Sequence, residues 1–177
     1  MIFFDTETTG LIKNLALHLN KQPHIIEIGC IKHPKIKGQR SNFSSVINPG
    51  IKLPEIITKI TGLTDEDVEA TPTFQAILQD LTGFFKGEDI LVAHNMPFDR
   101  NMLLFELRRA GVEETFPMPK KLIDTVQLAR PLYGGDFKKL NWLYENLIGP
   151  VKQTHRALDD AQMLLDVYLA LMEKLNG

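Results

Sequence analysis

Apolar positions along the chain follow two periods, and their alternation lays out strands and helices in turn. Ile2–Thr6 is a short apolar run that predicts a first strand, and residues 10–23 read as a loop. The near-continuous apolar stretch Ile25–His33 predicts a second strand. Ser41–Asn48 predicts a third, closed by the turn signal Asn48-Pro49-Gly50. Two short helices are expected over Pro54–Ile60 and Thr64–Val68, parted by Thr61-Gly62. Phe74, Ile77, Leu78, Leu81, Phe84 and Phe85 fall on one side of a helix over Phe74–Phe85. Ile90–Ala93 then predicts a buried strand. The next helix opens at Pro97, which suits a first helical position, and ends near Ala110 with Gly111 as its cap. Leu122–Asp124 predicts a fifth strand running into a helix over 125–131, with further helices near 138–147 and 156–175.

Strands bracketed by helices predict an α/β sandwich: a five-stranded mixed sheet with helices on both faces, strand two antiparallel to strand one. Neither a repeat nor a low-complexity stretch nor a linker interrupts the pattern, so a single domain over 1–177 is expected. The hydrophobic share of 44% and charged share of 24% are those of an ordinary globular chain with one sizeable core. No apolar run is long enough to cross a bilayer, and an acidic start is unlike a signal peptide, so a cytoplasmic protein without a membrane partner is expected. Cys30 is the sole cysteine, which excludes an internal disulfide and a thiolate zinc cluster. Its place in an apolar run reads as core. A net charge of −2 argues against a protein that coats nucleic acid, but not against an enzyme that grips a few nucleotides.

Several charges break this pattern. Asp5 and Glu7 stand two apart on the first strand and therefore project from the same face. Either the strand end breaks into solvent there, or a divalent cation relieves the repulsion, and hard oxygen ligands suit magnesium or manganese. Asp99, in the first turn of its helix, can serve the helix dipole or a second role. Phe98 beside it can be core or a ring on which a base stacks. In the last helix Asp160 shares a face with Ala157, Leu164, Val167 and Leu171, whereas Asp159 lies with Gln162, Met163 and Asp166 on a mostly polar one. Asp160 is thus expected to face the sheet and to need a cation. His155 just before that helix reads as a surface residue or as a proton acceptor for a water activated by the metal. His18, His24 and His33 read as loop or strand-end residues.

Three ordered segments carry a resemblance: Phe4-Asp5-Thr6-Glu7-Thr8-Thr9-Gly10-Leu11, Ala93-His94-Asn95-Met96-Pro97-Phe98-Asp99, and His155-Arg156-Ala157-Leu158-Asp159-Asp160-Ala161. Together they resemble the three motifs of the DEDDh, DnaQ-like 3′–5′ exonucleases, the proofreading epsilon-type family. Ile25-Ile26-Glu27-Ile28-Gly29, Ile60-Thr61-Gly62-Leu63-Thr64 and Asp124-Thr125-Val126-Gln127-Leu128-Ala129-Arg130 are weaker pieces of the same likeness. The resemblance implies a ribonuclease H-like fold and hydrolysis of phosphodiester bonds with two divalent ions, Mg2+ or Mn2+. It implies that Asp5, Glu7 and Asp160 hold one ion, that Asp5 also reaches the second, and that Asp99 acts mainly through water on the metal. His155 becomes the general base. Thr8, Thr9, Gly10, Leu11, Asn95 and Phe98 become contacts to the terminal nucleotide, Leu11 as a wedge against the last bases.

The implied substrate is a single-stranded 3′ end, DNA before RNA, in proofreading, repair or end trimming, releasing nucleoside 5′-monophosphates. An exoribonuclease that trims short RNA and a nuclease-like binding module without catalysis are the alternatives. A DNA polymerase subunit is an implied partner. The chain starts at its first strand and stops at its last helix, which favours a stand-alone exonuclease or one that docks by its surface.

Overall fold

The computed structural model describes residues 1–33 and 40–177. Five strands, β1 (Ile2–Thr8), β2 (Ile25–Lys32), β3 (Ser41–Val46), β4 (Ile90–Ala93) and β5 (Lys121–Asp124), form one sheet in the order β3-β2-β1-β4-β5. β1 runs antiparallel to β2 and parallel to β4, and β4 is parallel to β5. The helices are α1 (Glu55–Thr61), α2 (Asp65–Glu69), α3 (Phe74–Phe85), α4 (Met96–Arg109), α5 (Thr125–Tyr133), α6 (Leu140–Leu147) and α7 (Ala157–Asn176). The expected mixed sheet is present, with strands one and two paired as predicted.

The sheet divides the core in two because successive strand side chains point to opposite faces. Ile2 and Phe4 of β1 pack with Leu81, Phe85, Met102 and Leu103 of α3 and α4 on one face. Phe3 points the other way, into Ala129, Leu143, Leu164 and Leu171 of α5, α6 and α7. Aromatic edges lock both faces: Phe4 meets Phe85 with centroids 5.9 Å apart, and Phe3 meets Tyr168 at 5.3 Å. Cys30 is fully buried among the first group, as its apolar surroundings foretold.

Two differences from the sequence reading bear on the site. β1 runs two residues beyond the expected Thr6, so Asp5 and Glu7 both lie within the ladder, opposite Gly29 and Glu27 of β2. Apolar periodicity could not see this, since the extra residues are held by backbone pairing rather than by burial of hydrocarbon. α4 begins at Met96, with Asn95 in the left-handed region (φ 69°) as its cap, so Pro97 is the second helical residue. None of the helices among the described residues is long and apolar enough to cross a membrane.

Candidate active site

The β1–β2–α7 junction gathers the acids. Asp5 and Glu7 leave the face of β1 that α7 covers, and Asp160 comes down from the first turn of α7. Asp160 is buried and Asp159 exposed, the division that helical geometry predicts, although Met163 on the Asp159 side is itself buried. Ligand atoms of Glu7, His155 and Asp160 all lie within 4.8 Å of one another. Asp99 reaches the group from α4, where Thr6 donates to its Oδ1 from both Oγ1 (2.8 Å) and the backbone N–H (3.1 Å). The acid in the first turn of α4 is thus tied to the strand that bears Asp5 and Glu7, a role beyond the helix dipole.

The electrostatics of this cluster are those of buried carboxylates crowded together. Burial pushes the Asp5 carboxyl well above its usual range, and the charges of Asp99, Asp160 and Glu7 push it further. Burial, then Asp160 and Glu27, raise Glu7 to about 8. Burial raises Asp99 to about 7 against the opposing bonds from Thr6. Asp160 is raised by burial too, and Gln153 Nε2 donates to its Oδ2 at 2.8 Å. Its Oδ1 is buried without a hydrogen-bond partner among the described residues. Among the described residues no Lys or Arg forms a salt bridge with these four acids. An unpartnered buried carboxylate oxygen amid three more carboxylates is costly unless a cation meets it, and an all-oxygen donor set fits a hard divalent ion.

The residues expected to hold a nucleotide end, which flank Glu7 and Asp99 in the sequence, differ in freedom. Thr8 Oγ1 donates to Gly10 O (3.0 Å), and the Thr9 N–H is already given to His24 O (2.8 Å). The Thr9 amide is therefore spent inside the protein. Leu11 is 78% exposed, and Asn95 is exposed with its N–H donating to Asp124 Oδ1. Phe98 is partly buried against the α3–α4 core. An open groove of about 370 Å³ is lined by Thr9, Leu11, Lys13, Leu17, Lys21 and Ile51. Apolar side chains interleaved with lysines suit bases and phosphates respectively.

Sequence reasoning passed over Thr6, Gln153 and the pair Glu27–Arg156. Glu27 gave a signal, a carboxylate in the middle of the buried run Ile25–Ile31, but its partner lies 129 residues away. His94 enters the sequence reading only as part of a motif. Its ring lies between Thr125 Oγ1 and Lys138 O, both at 2.9 Å, and burial lowers its pKa, as befits a partly buried structural histidine.

Residues 2–168 match the family model described as an exonuclease. The chain belongs to the exonuclease family. The DNA polymerase III epsilon subunit of Pasteurella multocida is 33% identical over 96% of this chain and 67% of its own length. A PolC-type DNA polymerase III of Caldanaerobacter subterraneus is 34% identical over 99% of this chain, which spans 12% of that protein. The 3′-5′ exonuclease DinG of Bacillus subtilis is 33% identical over 99% of this chain and 18% of its own length. Among solved structures, the nuclease domain of 3′hExo, a DEDDh family member bound to rAMP, superposes with a TM-score of 0.76. That likeness covers 98% of this chain and 91% of that one at 19% identity, so it carries the fold. The chain is thus an exonuclease by family, with the fold of that nuclease domain.

Proposed function

We propose that this exonuclease removes nucleotides from the 3′ end of single-stranded DNA, using two divalent ions, Mg2+ or Mn2+, held by Asp5, Glu7, Asp99 and Asp160. The observation that carries the assignment is the convergence of Glu7, His155 and Asp160 within 4.8 Å, with a buried Asp160 oxygen that no described residue satisfies. When bound, such ions offset phosphate charge and make water a better acid. His155 accepts the proton of the water that attacks the terminal phosphorus. The bond from phosphorus to the 3′ oxygen breaks. That oxygen takes up a proton, leaving a new 3′ hydroxyl on the strand and releasing a nucleoside 5′-monophosphate. The groove beside Leu11 receives the preceding nucleotides, with apolar contacts that tolerate any base. The names of the polymerase III relatives support a replication setting, with a polymerase as partner.

Product analysis on end-labelled oligonucleotides tests this reading. Mononucleotides should appear from single-stranded DNA with magnesium or manganese, and chelation should stop them. Faster digestion of matched RNA would replace the substrate with RNA. Silence on every end would favour a binding module.

A further inference from the structure

Glu27 is a fifth carboxylate at the acid cluster, 2% exposed and directly across the ladder from Glu7. It does not share the cation site, because both its oxygens are taken. Arg156 Nε donates to Oε2 and Nη2 to Oε1, each at 2.9 Å, and the Ala157 N–H reaches Oε2 at 3.3 Å. Arg156 occupies the cap position of α7 but caps nothing with its own side chain. The cap is imported from β2, and a carboxylate at a helix N-terminus is favourably placed. Beside it, Gly29 lets the first turn of α7 lie on the strand: a Cβ there would fall 2.1 Å from the Ala157 carbonyl carbon. β2 thus grips the start of α7 at two adjacent inward positions.

His155 immediately precedes this grip. Its backbone is left-handed (φ 52°), a conformation that side chains with a Cβ rarely adopt. Among the described residues no hydrogen bond orients its ring, so the imidazole is placed by the backbone on either side. On one side Gln153 and Thr154 tie to Asp160 Oδ2 and Asp159 Oδ2 through neutral donors. On the other stands the two-pronged, charge-assisted bond of Arg156, the strongest tie of the strap. We infer that Arg156, clamped on Glu27, is a positioning residue that holds His155 over Glu7 and Asp160. The inference rests on reading His155 as the base.

Turnover of single-stranded DNA by wild type, His155→Ala, Arg156→Ala and the double variant tests it. Arg156→Ala should lower kcat roughly 10- to 100-fold, the scale of a misplaced catalytic group. KM should stay within about threefold. Arg156→Lys should recover part of the loss, since an ammonium keeps the charge but not the fork. In the His155→Ala background the same change should cost less than about twofold, because no base is left to misplace. Wild-type kcat in Arg156→Ala overturns the inference, as does an equal loss in both backgrounds or a rise in KM alone. If Arg156→Ala fails to fold by circular dichroism, Arg156→Lys carries the same cycle. The His155 ring resonances, sharp in the metal-free wild type, should broaden in the Arg156 variant; unchanged resonances count against the clamp. Full activity in His155→Ala alone would remove the base reading, and the positioning role with it, visibly apart from any Arg156 result.

Discussion

Asp5 is the residue at which the charges of the site converge, since Asp99, Asp160, Glu7 and Glu27 all act on it. Asp5→Ala should reduce hydrolysis to background, and retained turnover would sink its assignment to the cation site. The two acids of α7 offer a sharper contrast. Asp160→Asn should remove activity, whereas exposed Asp159→Asn should leave most of it; rates measured side by side decide, and a reversed order refutes the assignment. Thr6 acts one bond further out. Thr6→Val removes the 2.8 Å donor to Asp99 while leaving the backbone one, and should cost roughly tenfold in kcat, near the low end for a partner of a ligand. Activity equal to wild type would show that the backbone bond suffices.

Among the elements, α7 depends on β2 as much as on its own sequence. Gly29→Ala would set a methyl group 2.1 Å from Ala157 C and 2.3 Å from Leu158 N, both backbone atoms that cannot swing aside. The helix must lift or the strand bend, at a cost of at least about 1–3 kcal/mol. Urea unfolding measures this, and an unchanged midpoint would mean that the contact is not rigid. Most elements were legible in the chain because each buries one apolar face: the spacing of Phe74–Phe85 and the run Ile90–Ala93 match α3 and β4. The ends that went astray, β1 beyond Thr6 and β3 short of Asn48, are set by strand pairing and by the isolated bridge of Asn48 with Thr73. Neither leaves a mark in apolar spacing.

At the scale of the whole molecule, the raised carboxyls of the acid cluster couple folding to pH. A carboxyl whose pKa is raised by folding holds its proton where the unfolded chain has lost it. The folded state then binds more protons, and stability falls as pH rises. For Glu7 that window runs from its ordinary value of 4.5 up to about 8, and for Asp99 from 3.8 up to about 7. The metal-free protein should therefore melt at lower temperature at about pH 8.5 than at about pH 6. A divalent ion should raise the melting temperature more at the higher pH, where it need not displace protons. Scanning calorimetry with and without magnesium checks both, and an increment independent of pH would uncouple these acids from the ion. The chain alone determined the α/β order, the antiparallel start of the sheet, and that Asp5, Glu7 and Asp160 leave faces otherwise apolar, because local periodicity dictates which way each side chain points. Only the tertiary structure decided that Thr6 holds Asp99, that Glu27 spends its charge on Arg156, and that one oxygen of Asp160 is buried without a partner among the described residues. The first two depend on contacts between segments more than ninety residues apart, and the third on burial; no spacing within one segment encodes them.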